Sequence, residues 1–234
     1  MTNKWLKVAL MAVAIATGTS IKIDAETVLY VPQDDRPVSL QYTVDTAREA
    51  GMTILTPPQN LISGKNYQGQ ADQIMAWVEQ NAGRADVMVL STDTLIYGGL
   101  VDSRKHNIPL TTLESRLKRI ESLKARNKKV RIYGFGTVMR SPRASGGGTE
   151  PAYYAEYGPT IFQIAALQDK LDSGSLTQEE TQKLMSLQAS VPVEYLQDWF
   201  DRRQKNMKIN KELIDETRSG VFNYFALGHD DTSQ

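Results

Sequence analysis

Short runs of β-branched and aromatic residues alternate along this chain with stretches whose apolar positions recur every three or four residues. Residues 27–31 (TVLYV) form the first such run, uninterrupted by polar residues, as expected of a strand buried on both faces. Residues 39–50 read as a helix, closed by Gly51 where a left-handed residue commonly ends one. A second strand begins at 53–55 and is stopped by Pro57-Pro58. Residues 70–80 carry Ile74, Trp77 and Val78 at helical spacing, and 86–90 (DVMVL) is a third strand.

Thr111-Thr112-Leu113-Glu114 matches a capping box that would start another helix, with Leu113, Leu117, Ile120 and Leu123 as its apolar stripe. Its basic end, residues 124–129, suits the negative end of the helix dipole and reads as a solvated terminus, not a nucleic-acid patch. Residues 130–135 (VRIYGF) give a fourth strand and 222–227 (FNYFAL) a fifth. Between them 160–171, 178–188 and 193–218 read as helices, the second capped by Thr177 with Glu180.

Strands alternating with helices predict an α/β fold with a mainly parallel sheet. The sheet is either open and doubly wound or the first part of a (β/α)8-like barrel. The chain stops at ALGHDDTSQ, a few residues past the fifth predicted strand. Residues 26–234 are therefore expected to be one α/β domain and the N-terminal part of something longer.

Composition narrows the function classes. Of 234 residues, 41% are apolar and 23% charged, ordinary values for a globular chain with a real core. Lys plus Arg and Asp plus Glu number 27 each, so no overall basic field gathers nucleic acid. Cysteine is absent, which excludes disulfides, thiolate metal sites and Cys nucleophiles. With only His106 and His229, a His-rich zinc site is not expected.

The N-terminus has the layout of a secretory signal peptide spanning residues 1–25. Lys4 and Lys7 precede the apolar run 8–16, Gly18-Thr19-Ser20 break it, and Ile23-Asp24-Ala25 offers a small-residue cleavage site. The run falls short of the roughly 20 residues a bilayer span needs. The expectation is a secreted or periplasmic protein with no stable membrane anchor after cleavage.

Parallel α/β sheets bind ligands beyond the carboxyl ends of their strands. Those positions hold Asp34, Asp35 and Arg36 after the first strand and Asp93 after the third. They hold Arg140 and Arg143 after the fourth, and His229, Asp230 and Asp231 after the fifth. Asp-Asp-Arg-Pro by itself also fits a turn with a local ion pair. The recurrence of such residues at successive strand ends is what favours one shared site, with Pro37 expected to hold that loop extended. Gly146-Gly147-Gly148 lacks the spacing of a phosphate loop and reads as a lid or hinge. Tyr153, Tyr154 and Tyr157 beyond it could stack on a sugar ring or pack the loop, and the Tyr97-Gly98-Gly99 turn allows a close backbone approach.

Four segments carry a resemblance: Pro32-Gln33-Asp34-Asp35-Arg36-Pro37-Val38, Asp93 with Tyr97-Gly98-Gly99-Leu100 and Ser103-Arg104, Met139-Arg140, and Asp230-Asp231-Thr232. In this order they resemble a large family of uncharacterised bacterial proteins known as a domain of unknown function. Gln33, Ser39 and His229 depart from the residues usual there. The resemblance implies a shared site and members about twice this length, without an established activity.

The carboxylate pairs lead to an exported hydrolase acting on a carbohydrate, an N-acetylated or acidic cell-wall sugar, with Asp230 and Asp231 as acid and partner. Asp34, Asp35 and Asp93 would bind hydroxyls, Arg36, Arg104 and Arg140 would orient an anionic or amide group, and Tyr97 and Tyr153 would line the ligand. No cofactor is required, although clustered carboxylates are compatible with a divalent cation. The alternatives are a non-catalytic exported protein binding a sugar or anion, and a metal-dependent hydrolase.

Overall fold

A computed structural model describes residues 25–144 and 147–229. The predicted signal segment, apart from Ala25, and the predicted catalytic residues Asp230 and Asp231 lie outside the described residues.

Five strands, β1 (Thr27–Val31), β2 (Thr53–Leu55), β3 (Val87–Ser91), β4 (Arg131–Val138) and β5 (Tyr224–His229), form one sheet. All four pairings are parallel and the order is β2-β1-β3-β4-β5. The open alternative therefore holds and the barrel does not: a barrel would place β2 between β1 and β3, whereas here β1 hydrogen-bonds to both. The chain winds one way from β1 to β2 and the other way from β3 onward, which opens a crevice at the carboxyl ends of β1 and β3.

Helix α1 (Gln41–Glu49) follows β1, and α2 (Ala71–Asn81) leads from β2 toward β3. Between β3 and β4 lie α3 (Thr92–Tyr97), α4 (Leu100–Lys105) and α5 (Leu110–Arg126). Between β4 and β5 lie α6 (Tyr154–Asp172), α7 (Gln178–Ala189) and α8 (Val193–Arg218). Right-handed crossovers put helices of leftward and rightward connections on opposite faces. Accordingly Leu29, Met88, Leu90 and Ile132 meet α2, α5 and α8 in the main core, while the opposite face carrying Tyr30 and Val89 meets Val44 of α1. Among the described residues, no helix is long and apolar enough to cross a membrane.

A second core lies among α6, α7 and α8, built on Tyr154, Ile161, Ile164, Leu184 and Trp199. Helix α8 belongs to both cores, Trp199 to this one and Ile209 and Leu213 to the main one. At 1.5 Å rise per residue these anchors stand roughly 20 Å apart along a single helix. Burying apolar surface at both ends fixes the helical layer against the sheet.

Several local expectations change. The predicted stripe of α5 is buried throughout, but Thr111 is not its cap. The helix starts two residues earlier, after Pro109, whose ring-fixed φ of −59° suits a helix entry and whose carbonyl accepts from Thr112 and Leu113. The predicted capping box of Thr177 and Glu180 is present at α7. Helix α6 begins at Tyr154, six residues before the predicted start, and carries Pro159 inside it. Burial of Tyr154, Gly158 and Ile161 outweighs the one backbone donor that Pro159 lacks.

Candidate functional site

At the end of β1 the backbone turns sharply. Asp34 folds back on Arg36, Oδ1 accepting from the Arg36 amide at 3.2 Å and Oδ2 from Nε at 2.9 Å, with Nη2 at 2.7 Å. This is an Asx turn reinforced by an ion pair, which accounts for fixed charge directly after a strand. Pro37 does not hold an extended loop: Ser39 and Leu40 both donate to the Arg36 carbonyl at 2.9 Å, so Pro37 starts a turn into α1. Asp35 points elsewhere. Its amide donates to Ser63 O, and its carboxylate accepts from the Tyr67 hydroxyl, which raises the Tyr67 pKa.

At the end of β3 the chain enters a helix, not a loop. Ser91 caps α3, its Oγ accepting from the Thr94 amide at 3.3 Å. The helix brings three consecutive side chains under the neighbouring strand ends. Thr92 donates to Phe135 O, Thr94 donates to Pro32 O at 2.7 Å, and Asp93 accepts from Gln33 Nε2 at 2.9 Å and Thr137 Oγ1 at 2.8 Å. Asp93 is 2% exposed and clasps β1 to β4 beneath the crevice, so the structure places it as a support where a direct ligand contact was expected.

Gly98 and Gly99 join α3 to α4. Gly98 has φ +110°, in the left-handed region, and a Cβ on Gly99 would stand 1.9 Å from Ser63 Oγ. The double glycine thus lets the loop after β2 lie against the start of α4. That packing brings Ser63, Gly64 and Lys65 to the same edge as Arg104.

These elements enclose a cavity of about 430 Å³ lined by Gln33, Asp34, Arg36, Ser63, Lys65, Leu100, Val101, Arg104, Thr137, Arg140 and Thr149. It sits at the strand ends where the topology opens the crevice. Arg104 and Arg140 both pair with Glu150, whose side chain is fully buried. Glu150 Oε1 accepts from Arg140 Nε and Nη2 at 3.0 and 2.6 Å and lies 3.7 Å from Arg104 Nη1, while Oε2 accepts from Thr149 at 2.8 Å.

Helix α8 holds α4 from behind. Arg202 Nε donates to His106 O at 2.7 Å, and Asn206 donates to Ser103 O at 2.8 Å. The Ile108 amide donates to His106 Nδ1, so Nε2 carries the hydrogen and donates to Asn206 Oδ1 at 2.8 Å. Burial lowers the His106 pKa to about 4, and the Asn206 contact opposes that shift.

Of the predicted binding residues, Asp34, Arg36, Arg104 and Arg140 share the cavity. Asp35 is turned to Tyr67 and Asp93 lies beneath. Tyr97 is buried against His106, ring centroids 4.9 Å apart, in a separate pocket of about 450 Å³ with Asp102 and Arg116. Tyr153 stacks on Tyr195 at 4.6 Å and donates to Asp198 at 2.5 Å, so it packs α6 on α8 and does not line the cavity. Arg143 lies over the Phe162 ring, and His229 ends β5 opposite Val138. Gly147 and Gly148 are both left-handed, with Lys105 donating to Gly148 O, while Gly146 lies outside the described residues.

The reading of motifs missed Ser63, Lys65, Thr137, Thr149 and Glu150. The first two follow β2 and were open to the strand-end rule, whereas nothing in the sequence marks Glu150 as the partner of two arginines. A larger depression of about 750 Å³ lies between α6 and α8. It touches the strand ends only through Val138 and Met139, away from the charged turns of β1 and β3. Among the described residues, no three His, Asp or Glu side chains come together to hold a metal ion.

Comparison with curated proteins found no match, and comparison with solved structures found none either. A family model does match, over residues 28–234, from β1 through the strand-end segments described above. The chain thus belongs to the DUF4127 family, proteins of unknown function.

Proposed function

We propose that the crevice cavity binds a carbohydrate carrying an acidic or N-acetyl group and that the protein is an exported hydrolase of such ligands. The observation that carries this reading is the gathering of Asp34, Arg36, Lys65, Arg104 and Arg140 around one cavity at the strand ends. Asp34 offers a hydroxyl acceptor, and the guanidinium and ammonium groups offer donors to a carboxylate or amide oxygen. Asp230 and Asp231, one and two residues past the end of β5, are the acid and its nucleophilic or electrostatic partner in this reading. The N-terminal signal layout supports export.

The test is product release from acidic and N-acetylated oligosaccharides by the purified protein. Asp231→Asn should lower turnover by about 100-fold or more, as loss of a general acid or base does. Unchanged turnover in that variant would remove the catalytic assignment.

One observation favours a second reading, a non-catalytic binding protein. Among the described residues, Asp34 is the lone carboxylate lining the cavity, and it is ion-paired to Arg36. Calorimetric binding of the same oligosaccharides, with no product after prolonged incubation, would select this reading over the first.

A further inference from the structure

Asp35 does not line the cavity, but it builds a turn that does. Its amide donates to Ser63 O at 2.9 Å and its carboxylate accepts from the Tyr67 hydroxyl, so both ends of residues 63–67 are tied to the chain leaving β1. Between those ties Gly64 and Tyr67 form an isolated antiparallel bridge, the Gly64 amide donating to Tyr67 O at 3.1 Å. Lys65 and Asn66 are the two turn residues at its tip. The Tyr67 ring lies on Gly64, where a Cβ would stand 2.5 Å from it. The turn so held brings Lys65 into the cavity lining.

Lys65 differs from the other cations of that lining. Arg36 is paired with Asp34, and Arg104 and Arg140 are paired with Glu150. Among the described residues, no carboxylate answers Lys65. A lysine kept for solubility needs no such turn, since its flexible stem reaches solvent from any exposed position.

We infer that Lys65 is the specificity-determining contact for a carboxylate on the ligand, and that Asp35 and Tyr67 are positioning residues that hold its turn at the cavity. The inference rests on the carbohydrate reading above and narrows it to acidic sugars. An ammonium gives a carboxylate a charge-assisted hydrogen bond, whereas a neutral N-acetyl group gains only the weaker bond to its amide oxygen. The turn tip is exposed, so salt should screen the contact.

Calorimetry with a galacturonic acid tetramer and with a neutral N-acetylglucosamine tetramer tests it. The parent protein should bind the acidic tetramer about 10-fold more tightly, the worth of one hydrogen bond to a charged group, and high salt should shrink that preference. Lys65→Met should abolish the preference without weakening the neutral tetramer, and Lys65→Arg should keep it. Tyr67→Phe should reduce the preference in the parent and change nothing further in Lys65→Met, because it acts through the lysine. Equal binding of the two tetramers by the parent, or a preference that survives Lys65→Met, overturns the inference and leaves the carbohydrate reading standing. Binding of neither tetramer overturns both.

Discussion

Arg140 grips one oxygen of Glu150 with two nitrogens, Nε at 3.0 Å and Nη2 at 2.6 Å, and Nη1 of Arg104 lies 3.7 Å from that same oxygen. The Glu150 side chain is fully buried, and those of Arg104 and Arg140 are 5% and 14% exposed. The carboxylate is thus a strut that fixes the two guanidinium groups at the cavity wall. Glu150→Gln keeps the shape and removes the charge that both arginines share. It should destabilise the protein by about 3 kcal/mol, read as a lower urea midpoint at unchanged m-value. A midpoint like that of the parent would show that the strut has no structural role.

His106 makes stability depend on pH. Its folded pKa is lowered to about 4 from 6.5, first by burial. A depressed folded pKa means that the unfolded chain binds the proton more readily, so stability is complete above pH 6.5 and declines as pH falls toward 4. The loss across that window approaches about 3 kcal/mol, because each tenfold difference in proton affinity between the folded and unfolded chain is worth about 1.4 kcal/mol. Denaturant titrations between pH 7 and pH 4 should show the decline, and His106→Gln should flatten it. A profile of equal slope in that variant would point to another group.

Packing at the α3–α4 joint predicts the effect of a single methyl group. A Cβ on Gly69 would stand 1.9 Å from the carbonyl oxygen of Gly98, a backbone atom that cannot swing aside. Gly69→Ala should therefore destabilise the protein by on the order of 3 kcal/mol, as overpacking does. Gly83→Ala, where a Cβ meets nothing within 4 Å, should change stability little. Thermal melts of the two variants give the comparison, and equal midpoints would disprove the close contact.

Tyr153 separates packing from ligand contact. Its hydroxyl donates to Asp198 and its ring stacks on Tyr195, both on α8. Tyr153→Phe should lower stability by about 1 kcal/mol, the worth of one hydrogen bond, and leave carbohydrate binding unchanged. A loss of affinity without a loss of stability would return Tyr153 to the cavity.

What the sequence by itself determined was what depends on short range. TVLYV, DVMVL and the stripe of Leu113, Leu117, Ile120 and Leu123 announce their elements because apolar periodicity is local. Alternation of strands and helices identified the parallel α/β class, and the strand-end rule located Asp34, Arg36 and Arg140. Strand order was not legible, since open sheets and barrels share one alternating pattern and differ only in which edges meet. Thr92 to Lys105 was not legible as helix either, because Gly98-Gly99 interrupts it and its buried polar side chains bond to other strand ends, as Thr94 does to Pro32 O. Tertiary structure alone decided that Asp93 is a clasp, that Tyr97 and Tyr153 are packing residues, and that Glu150 joins two arginines. Each of these is a contact between residues distant in the chain or on separate elements, fixed only when burial of the two cores sets the helices against the sheet.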